Sequence, residues 1–447
     1  MKLIRARISH IGLYGKALLK WLVLAGITGV LCGLLGAAFH LGINYVTRLR
    51  QAHTWLLWCL PLAGLAVVGV YRLTNTQGQG TDDIIDAVHR GKELSPLLIP
   101  AIWLGTVLTH LCGGSSGREG AALQIGGDIG YQVGRLFRLD DRDLRTVTLC
   151  GMAAFFSALF GTPLAAAVFA IVVISVGVFY HVALIPCFTA SLVSYGISLW
   201  MGVEPTRFRV AAPALGAVMM LRVAVFGVSC ALISMLFCNG FRFVERRMRG
   251  WMPNPWLRAA VGGAAVIALT YLSGTTDYNG AGMDVVAAAI QNGTAHPTAF
   301  LWKLLFTAVT LGAGFKGGEI VPAFFVGSTF GCVAAPLLGI PAGFGAALGL
   351  VSVFCGITNC PMASLFLSIE LFGSGGVLYF AMSCFISYML SGYNGLYSSQ
   401  TIVYSKLKAQ YINVHTNAHH AGQMHGDMIA DPGSPDGSAI EERKTSR

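Results

Sequence analysis

The sequence predicts an all-α polytopic membrane protein made of two homologous halves with discontinuous helices, and three observations lead there. Charged residues make up only 11% of the 447 residues while hydrophobic ones make up 55%, against about 25% charged in ordinary soluble domains. Residues 146–203 contain no Asp, Glu, Lys or Arg, a run far longer than the roughly 20 apolar residues that cross a bilayer once. Short Gly-bounded segments recur at an interval of about 200 residues, as an internal repeat.

Apolar segments fall at about 18–48, 55–73, 97–112, 119–136, 146–160, 163–178, 181–202, 214–240, 256–273, 299–313, 320–336, 341–356, 361–373 and 376–391. Several are too short to span alone. Interrupted helices at membrane depth are tolerated only where they line a cavity or are buried in protein, and 56 glycines supply both the breaks and the close helix approach. The eleven cysteines stand singly in apolar runs and read as small packing residues.

The net charge of +10 does not point to nucleic acid, because the bases sit at the ends of apolar segments. Lys2, Arg5, Arg7, Lys16 and Lys20 precede the first; Arg242, Arg246, Arg247 and Arg249 follow another; Lys406 and Lys408 follow the last. This is the pattern of cytoplasmic flanks. The first apolar run is long enough to span and lacks a clear cleavage site, so no signal peptide is expected. The chain divides into a basic cytoplasmic N-terminus (1–17), a first membrane repeat (18–205), a second (206–408), and a polar tail (409–447) expected to be disordered. Four histidines in that tail leave metal binding open, with a solvated low-complexity segment the plainer reading.

Three pairings define the repeat. GQGTDDIIDAVHRG from Gly78 lies on GAGMDVVAAAIQNG from Gly280 at an offset of 202. GREGAALQIGG from Gly117 answers GGEIVPAFFVG from Gly317, with Glu119 on Glu319. CGMAAFFSALFGTPLAAAVF from Cys150 sits beside CGITNCPMASLF from Cys355, bringing Pro163 opposite Pro361 after a short gap. Repeated halves with broken helices in matching positions are characteristic of transporters whose substrate lies between them.

Each repeat sets a Gly-rich turn before an apolar helix. Free N–H groups and the positive end of the dipole at such a helix start attract an anion without a full cationic charge, so the ion can also leave. Within GGSSGREGAALQ, Glu119 beside Arg118 has two readings. One is an interfacial loop with a solvated ion pair. The other is a carboxylate at a helix N-terminus in the pathway that occupies an anion site until protonated, with Arg118 supporting an electropositive vestibule. Tyr397 reads either as an interfacial aromatic or as part of the pathway, and Glu319 as a partner of Lys316 or as part of the site. Glu370 reads as a packing glutamate, and Asp82, Asp83 and Asp86 as a solvated helix face.

GREGAALQ, the GQG turn at 78–80, GGEIVPAFF at 317–325 and GLYSS at 395–399 together resemble the successive pore signatures of the CLC family of chloride channels and proton-coupled anion transporters. The resemblance runs in order from about residue 18 to 408. It implies a homodimer in the cell inner membrane, each subunit with its own pore between halves in inverted repeat. Glu119 matches the external gating glutamate, and Tyr397 the tyrosine whose hydroxyl contacts the central anion. Glu319 and Ile320 match residues whose backbone N–H groups cradle the anion. Gln79, Gly80, Gly117, Arg118 and Gly120 complete the expected anion-binding set.

The chain departs from the family pattern at Gln79, where chloride-type members carry a serine, and at Val172 and Val173, where proton-coupled members carry an internal glutamate. Glu319 in GGE is similar to the fluoride-transporting branch, which usually has methionine at position 79. The expected cargo is a halide, chloride first, moved through a pore gated by Glu119; the alternative is a proton-coupled antiporter exporting fluoride or chloride. An intramembrane enzyme would need paired acids, HExxH or a nucleophile–base pair at membrane depth, and none is evident in the sequence. No cofactor or metal is expected; the partners are chloride or fluoride, protons in the coupled case, lipid, and a second copy of the chain.

Overall fold

The computed structural model describes residues 2–408 and 410–417. The first half comprises α1 (Lys2–Ala52), α2 (Leu60–Leu73), α3 (Thr81–Arg90), α4 (Leu98–Leu111), α5 (Glu119–Leu136), α6 (Asp141–Phe160), α7 (Pro163–Val172) and α8 (His181–Trp200). The second repeats that series as α9 (Ala217–Trp251), α10 (Pro255–Ser273), α11 (Met283–Gln291), α12 (Ala299–Gly312), α13 (Ile320–Ala334), α14 (Ala342–Thr358), α15 (Pro361–Phe372) and α16 (Val377–Leu390). The apolar segments of the sequence reappear as helices, with α3 and α11 added from the more polar Gly-bounded segments.

Seven helical stretches among the described residues are long and apolar enough to cross a membrane, including Thr54–Leu73 and Ile320–Leu338, where a tight turn extends the α-helix. Others, such as α4, α7, α12 and α15, are shorter and survive at depth because neighbouring helices cover their ends.

The halves run in opposite directions. α1 carries Lys16 and Lys20 in its N-terminal part, whereas its equivalent α9 carries Arg246, Arg247 and Arg249 at its C-terminal end. At the centre, Gly117 and Gly318 form an antiparallel bridge. Gly117 N donates to Gly318 O and Gly318 N to Gly117 O, both at 2.7 Å. Equivalent residues exchanging the same bond are related by a local two-fold axis.

That bridge corrects one register of the repeat. Glu119 opens α5 and Ile320 opens α13, so Glu119 corresponds to Ile320, and Glu319 to Arg118. The third pairing is also corrected: the left-handed residues that end α6 and α14 are Gly161 (φ 69°) and Asn359 (φ 58°), which sets Pro163 on Pro361 with no gap and removes Cys150 from Cys355. Asn reaches this region at a cost that most side chains cannot meet. The first pairing stands, since Gly80 and Gly282 precede α3 and α11 while Gly91 and Gly293 follow them.

Each half buries one glycine-lined helix pair. A methyl group on Gly151 would lie 1.9 Å from Gly126 O, and one on Gly349 would lie 2.1 Å from Gly327 O. Nothing larger than hydrogen fits where α5 meets α6 or α13 meets α14. Across the halves, Phe160 packs on Phe324 at 5.7 Å and Phe169 on Phe354 at 5.4 Å, while Phe324 and Phe354 lie 5.3 Å apart. These edge-inclined pairs lock the repeats together. All eleven cysteines are free, and all but Cys59 are buried, as small packing residues should be.

The expected tail does not begin at residue 409. Strand β1 (Ser175–Val176) pairs in parallel with β2 (Thr401–Tyr404), and β2 in antiparallel with β3 (Tyr411–His415). Alternation in YINVH gives β3 a face to pack, with Ile412 and Val414 set against Ile402. The rest of the tail, from residue 418 with its remaining histidines, lies outside the described residues.

Gly151→Leu should force α5 and α6 apart, an overpacking cost of about 1–3 kcal/mol or more. The expected result is a melting temperature in detergent lowered by several degrees, read by intrinsic fluorescence; an unchanged melting curve would mean that α5 and α6 do not meet at this glycine.

Candidate functional site

The bridge at Gly117 and Gly318 brings two helix starts side by side. Arg118 and Glu319 occupy the N-cap positions of α5 and α13, and neither side chain caps its helix. The first-turn N–H groups of both helices lack intrahelical acceptors, so two positive dipole ends converge at one buried place. Gly120 allows the crossing: a methyl there would lie 2.8 Å from Gly318 Cα and 3.3 Å from Glu319 Oε2. The Glu319 carboxylate therefore stands beside the start of α5.

Glu119 is 1% exposed. Its Oε2 accepts from Arg118 N at 2.9 Å, and its Oε1 lies 3.4 Å from Arg118 Nε with no hydrogen-bond partner. The half-buried Arg118 also donates from Nη1 to Asn44 Oδ1 at 3.2 Å. The ion pair is thus buried rather than solvated.

A cavity of about 700 Å³ opens below the crossing, and Gln79, Gly80, Gln124, Lys316, Glu319 and Tyr397 are on its wall. Glu119 and Ile320 are not among its lining residues. Tyr397 is 3% exposed, and its hydroxyl, like Gln79 Oε1, is buried without a protein partner. Polar atoms left unpaired at depth are rare in proteins. Here they border a cavity that also reaches Glu319, at the start of α13.

The remaining expectations sort by geometry. Gly80 is at the cavity, but its N–H donates to Asp83 Oδ2 at 2.7 Å, so α3 is capped from within. Lys316 lies over the Tyr71 ring at 4.2 Å and makes no ion pair with Glu319. Glu370 is more than packing: its two oxygens accept from Leu164 N at 3.0 Å and Ala165 N at 2.8 Å, capping α7 from across the repeat. Val173 is fully buried.

Asp82 is not a solvated side chain. Its Oδ2 accepts from Ser398 Oγ at 2.6 Å and its Oδ1 from Ser399 N at 2.9 Å, so α3 holds the loop that carries Tyr397. From the other side, Gln400 Nε2 donates to Val173 O at 2.9 Å and Thr358 O at 2.8 Å, and Thr416 Oγ1 donates to Tyr397 O. Sequence reasoning missed these moorings because Asp82 and Ser398 are 316 residues apart, and no local pattern joins them. Gln124 had a signal: it follows Gly120 by four residues, so both lie on one helix face.

This fold and site define a polytopic membrane protein with a buried, dipole-lined centre between inverted halves. The family model described as "Voltage gated chloride channel" matches residues 63–392. A "Chloride/fluoride channel protein" of Pseudomonas syringae pv. tomato is 36% identical over 398 residues, 87% of each chain. An "H(+)/Cl(-) exchange transporter ClcA" of Cronobacter sakazakii is 29% identical over 80% of this chain and 83% of its own. A solved CLC-type fluoride/proton antiporter superposes with a TM-score of 0.82 at 32% identity, covering 86% of this chain and 98% of that one. The chain belongs to the voltage-gated chloride channel, or CLC, family.

Asp82→Ala removes the two bonds by which α3 holds the Tyr397 loop, each a charge-assisted bond of about 1.5–3 kcal/mol. Amide exchange at Ser399 and Gln400 should speed up by about tenfold or more, measured by mass spectrometry; unchanged protection would place the anchoring elsewhere.

Proposed function

We propose that this protein moves a halide across the inner membrane and exchanges it for protons, with Glu119 as the gate and Glu319 as a second proton-carrying carboxylate. The observation that carries the reading is the juxtaposition of two open helix starts with two carboxylates. N–H groups of α5 and α13, including those of Gly120 and Ile320, offer donors to a dehydrated anion. The Tyr397 hydroxyl, unpaired in the protein, is a donor for the same ion from the cavity side, where the Gln79 side chain also stands. The basic end of the bundle faces the cytoplasm, so the cavity is the inner entrance.

Glu119 competes with the anion for the positive end of α5. Ionised, its carboxylate lies against that end and closes the route beyond the glycine bridge; protonated, it loses the attraction and yields the place. A halide arriving from the cavity and a proton on Glu119 therefore favour the same open state. Glu319, between cavity and bridge, can take a proton that enters from the inside. Gly117 and Gly120 let the backbones approach, and Arg118 orients Glu119.

The sequence motifs divide between chloride and fluoride, with chloride the first expectation, but fluoride is the better fit to the arrangement. Fluoride is the smaller ion and the stronger hydrogen-bond acceptor, and the Gln79 amide reaches further than a serine hydroxyl. The names of the relatives, a chloride/fluoride channel protein and a fluoride/proton antiporter, agree with this choice. The second copy implied by family resemblance makes the working unit a homodimer, each subunit with its own route.

Liposomes loaded with fluoride or chloride, with halide efflux and proton uptake recorded together, test the reading. The expected result is fluoride efflux with proton movement in fixed ratio; no halide flux would overturn transport, and halide flux without protons would overturn exchange. Glu119→Gln mimics the protonated gate, and its halide flux should vary little between pH 5 and 8, the window about Glu and His values. A pH response equal to that of the native protein would mean that Glu119 is not the gate.

A further inference from the structure

We infer that Lys316 and the Tyr71 hydroxyl form a further halide-binding station on the wall of the inner cavity, where an ion from the cytoplasm is held before it reaches the start of α13. This inference rests on the transport reading above.

Two chain segments build the station. α2 carries Tyr71 in its last turn, and the loop that leads into the glycine bridge carries Lys316, two residues before Gly318. Both line the cavity that Gln79, Glu319 and Tyr397 also line. Gly105 of α4 makes room for the pair: a methyl there would lie 3.1 Å from Lys316 Cβ and 3.3 Å from Tyr71 Cε2. The Lys316 ammonium rests over the Tyr71 ring, 4.2 Å from its centre, and the hydroxyl is on the rim of that ring. Ammonium and hydroxyl therefore share one patch of wall.

Both groups are left without a polar partner. Lys316 is half-buried, and its Nζ enters none of the ion pairs of the described residues. Tyr71 is 4% exposed, and its hydroxyl is buried with no hydrogen-bond partner. The ring face steadies the cation but accepts none of its hydrogens in the way an oxygen or an anion does. Charges removed from bulk water are normally paired.

The acids on the same wall do not supply that pairing. Asp82 accepts from Ser398 and Ser399, Asp83 from Gly80 N and Lys92, and Glu245 holds Arg249 at 2.7 Å. Glu319, the remaining acid of the wall, makes no ion pair with Lys316. What is left is a place with a positive charge and two kinds of donor, open to the route of the cargo.

A halide suits it. Ammonium N–H and phenol O–H both donate, and a halide accepts without bringing a hydrogen of its own. The same cavity reaches Glu319 at the start of α13, so the ion passes from the station towards the helix starts within one enclosure. Capture does not become a trap, because the inner entrance admits water that screens the ammonium and the Tyr71 ring shares its charge.

Halide uptake by inverted membrane vesicles, which present the cytoplasmic face to added fluoride, tests the station. Tyr71→Phe keeps the ring under Lys316 and removes only the hydroxyl; its half-saturating fluoride concentration should rise about fivefold, as loss of one net hydrogen bond implies, with maximal uptake retained. Lys316→Met should raise it about tenfold or more, and Lys316→Arg should recover most of that loss. Native half-saturation in either Tyr71→Phe or Lys316→Met overturns the station. Lower maximal uptake at native half-saturation overturns it too, marking Lys316 and Tyr71 as a packing pair; should Lys316→Met prove unstable, the near-isosteric Tyr71→Phe decides. A native protein that takes up no halide overturns the transport reading and the station together, whereas native uptake with variants that saturate alike overturns the station alone.

Discussion

A helix that begins inside a membrane must find acceptors for the N–H groups of its first turn, because no bulk water is there to supply them. The molecule meets this demand in different ways at different helix starts. At α7 the acceptors are the two oxygens of Glu370, brought from α15 in the other repeat. At α3 one comes from Asp83 within the same turn. At α5 the Glu119 carboxylate accepts from Arg118 N at 2.9 Å, and at neither α5 nor α13 does an N-cap side chain supply an acceptor to the turn that follows.

The glycine bridge turns that deficit into a site. Two helix starts with positive ends would ordinarily repel, and they can be adjacent only if their backbones are held by something stronger than side-chain packing. The reciprocal bonds between Gly117 and Gly318 do this, and they require residues without a Cβ, since a methyl on Gly318 would lie 2.3 Å from Gly120 N. The positive region so formed is bordered by carboxylates on both sides, Glu119 beyond the bridge and Glu319 before it. A full cation in the same place would hold an anion too well to release it. Arg118 does not override this balance, because Glu119 neutralises it at 3.4 Å.

Much of this was legible in the sequence, and for an identifiable reason. The apolar runs, the Gly-rich turns and the duplication are local signals, so the helices, their breaks and the equivalence of Gly80 with Gly282 could be read directly. The one-residue error that set Glu119 on Glu319 arose because an identical letter outweighed the bridge register, which exists only in space. The long-range moorings were invisible for the same reason: Asp82 reads as one of three acids on a polar helix, and only its bonds to Ser398 and Ser399 reveal that it fixes Tyr397. Strand β3 was hidden because YINVH is too short to be distinguished from the polar tail around it.

The moorings of Tyr397 also bear on how an ion can pass without the site coming apart. Tyr397 stands in a loop rather than on a helix, so its hydroxyl has no rigid element of its own to aim it. Asp82 ties that loop to α3, Gln400 ties it to the ends of α7 and α14, and Thr416 ties it to the residue that follows β3. Anchors drawn from both repeats and from the C-terminal strand place the hydroxyl relative to all of them at once. A shift of any single helix is then resisted by the other two attachments. Movement in such a site is left to the groups with an unpaired atom, Glu119 Oε1, Gln79 Oε1 and the Tyr397 hydroxyl. Under the proposed gating, these side chains rotate while the crossing of α5 and α13 stays fixed, so the site need not separate its halves.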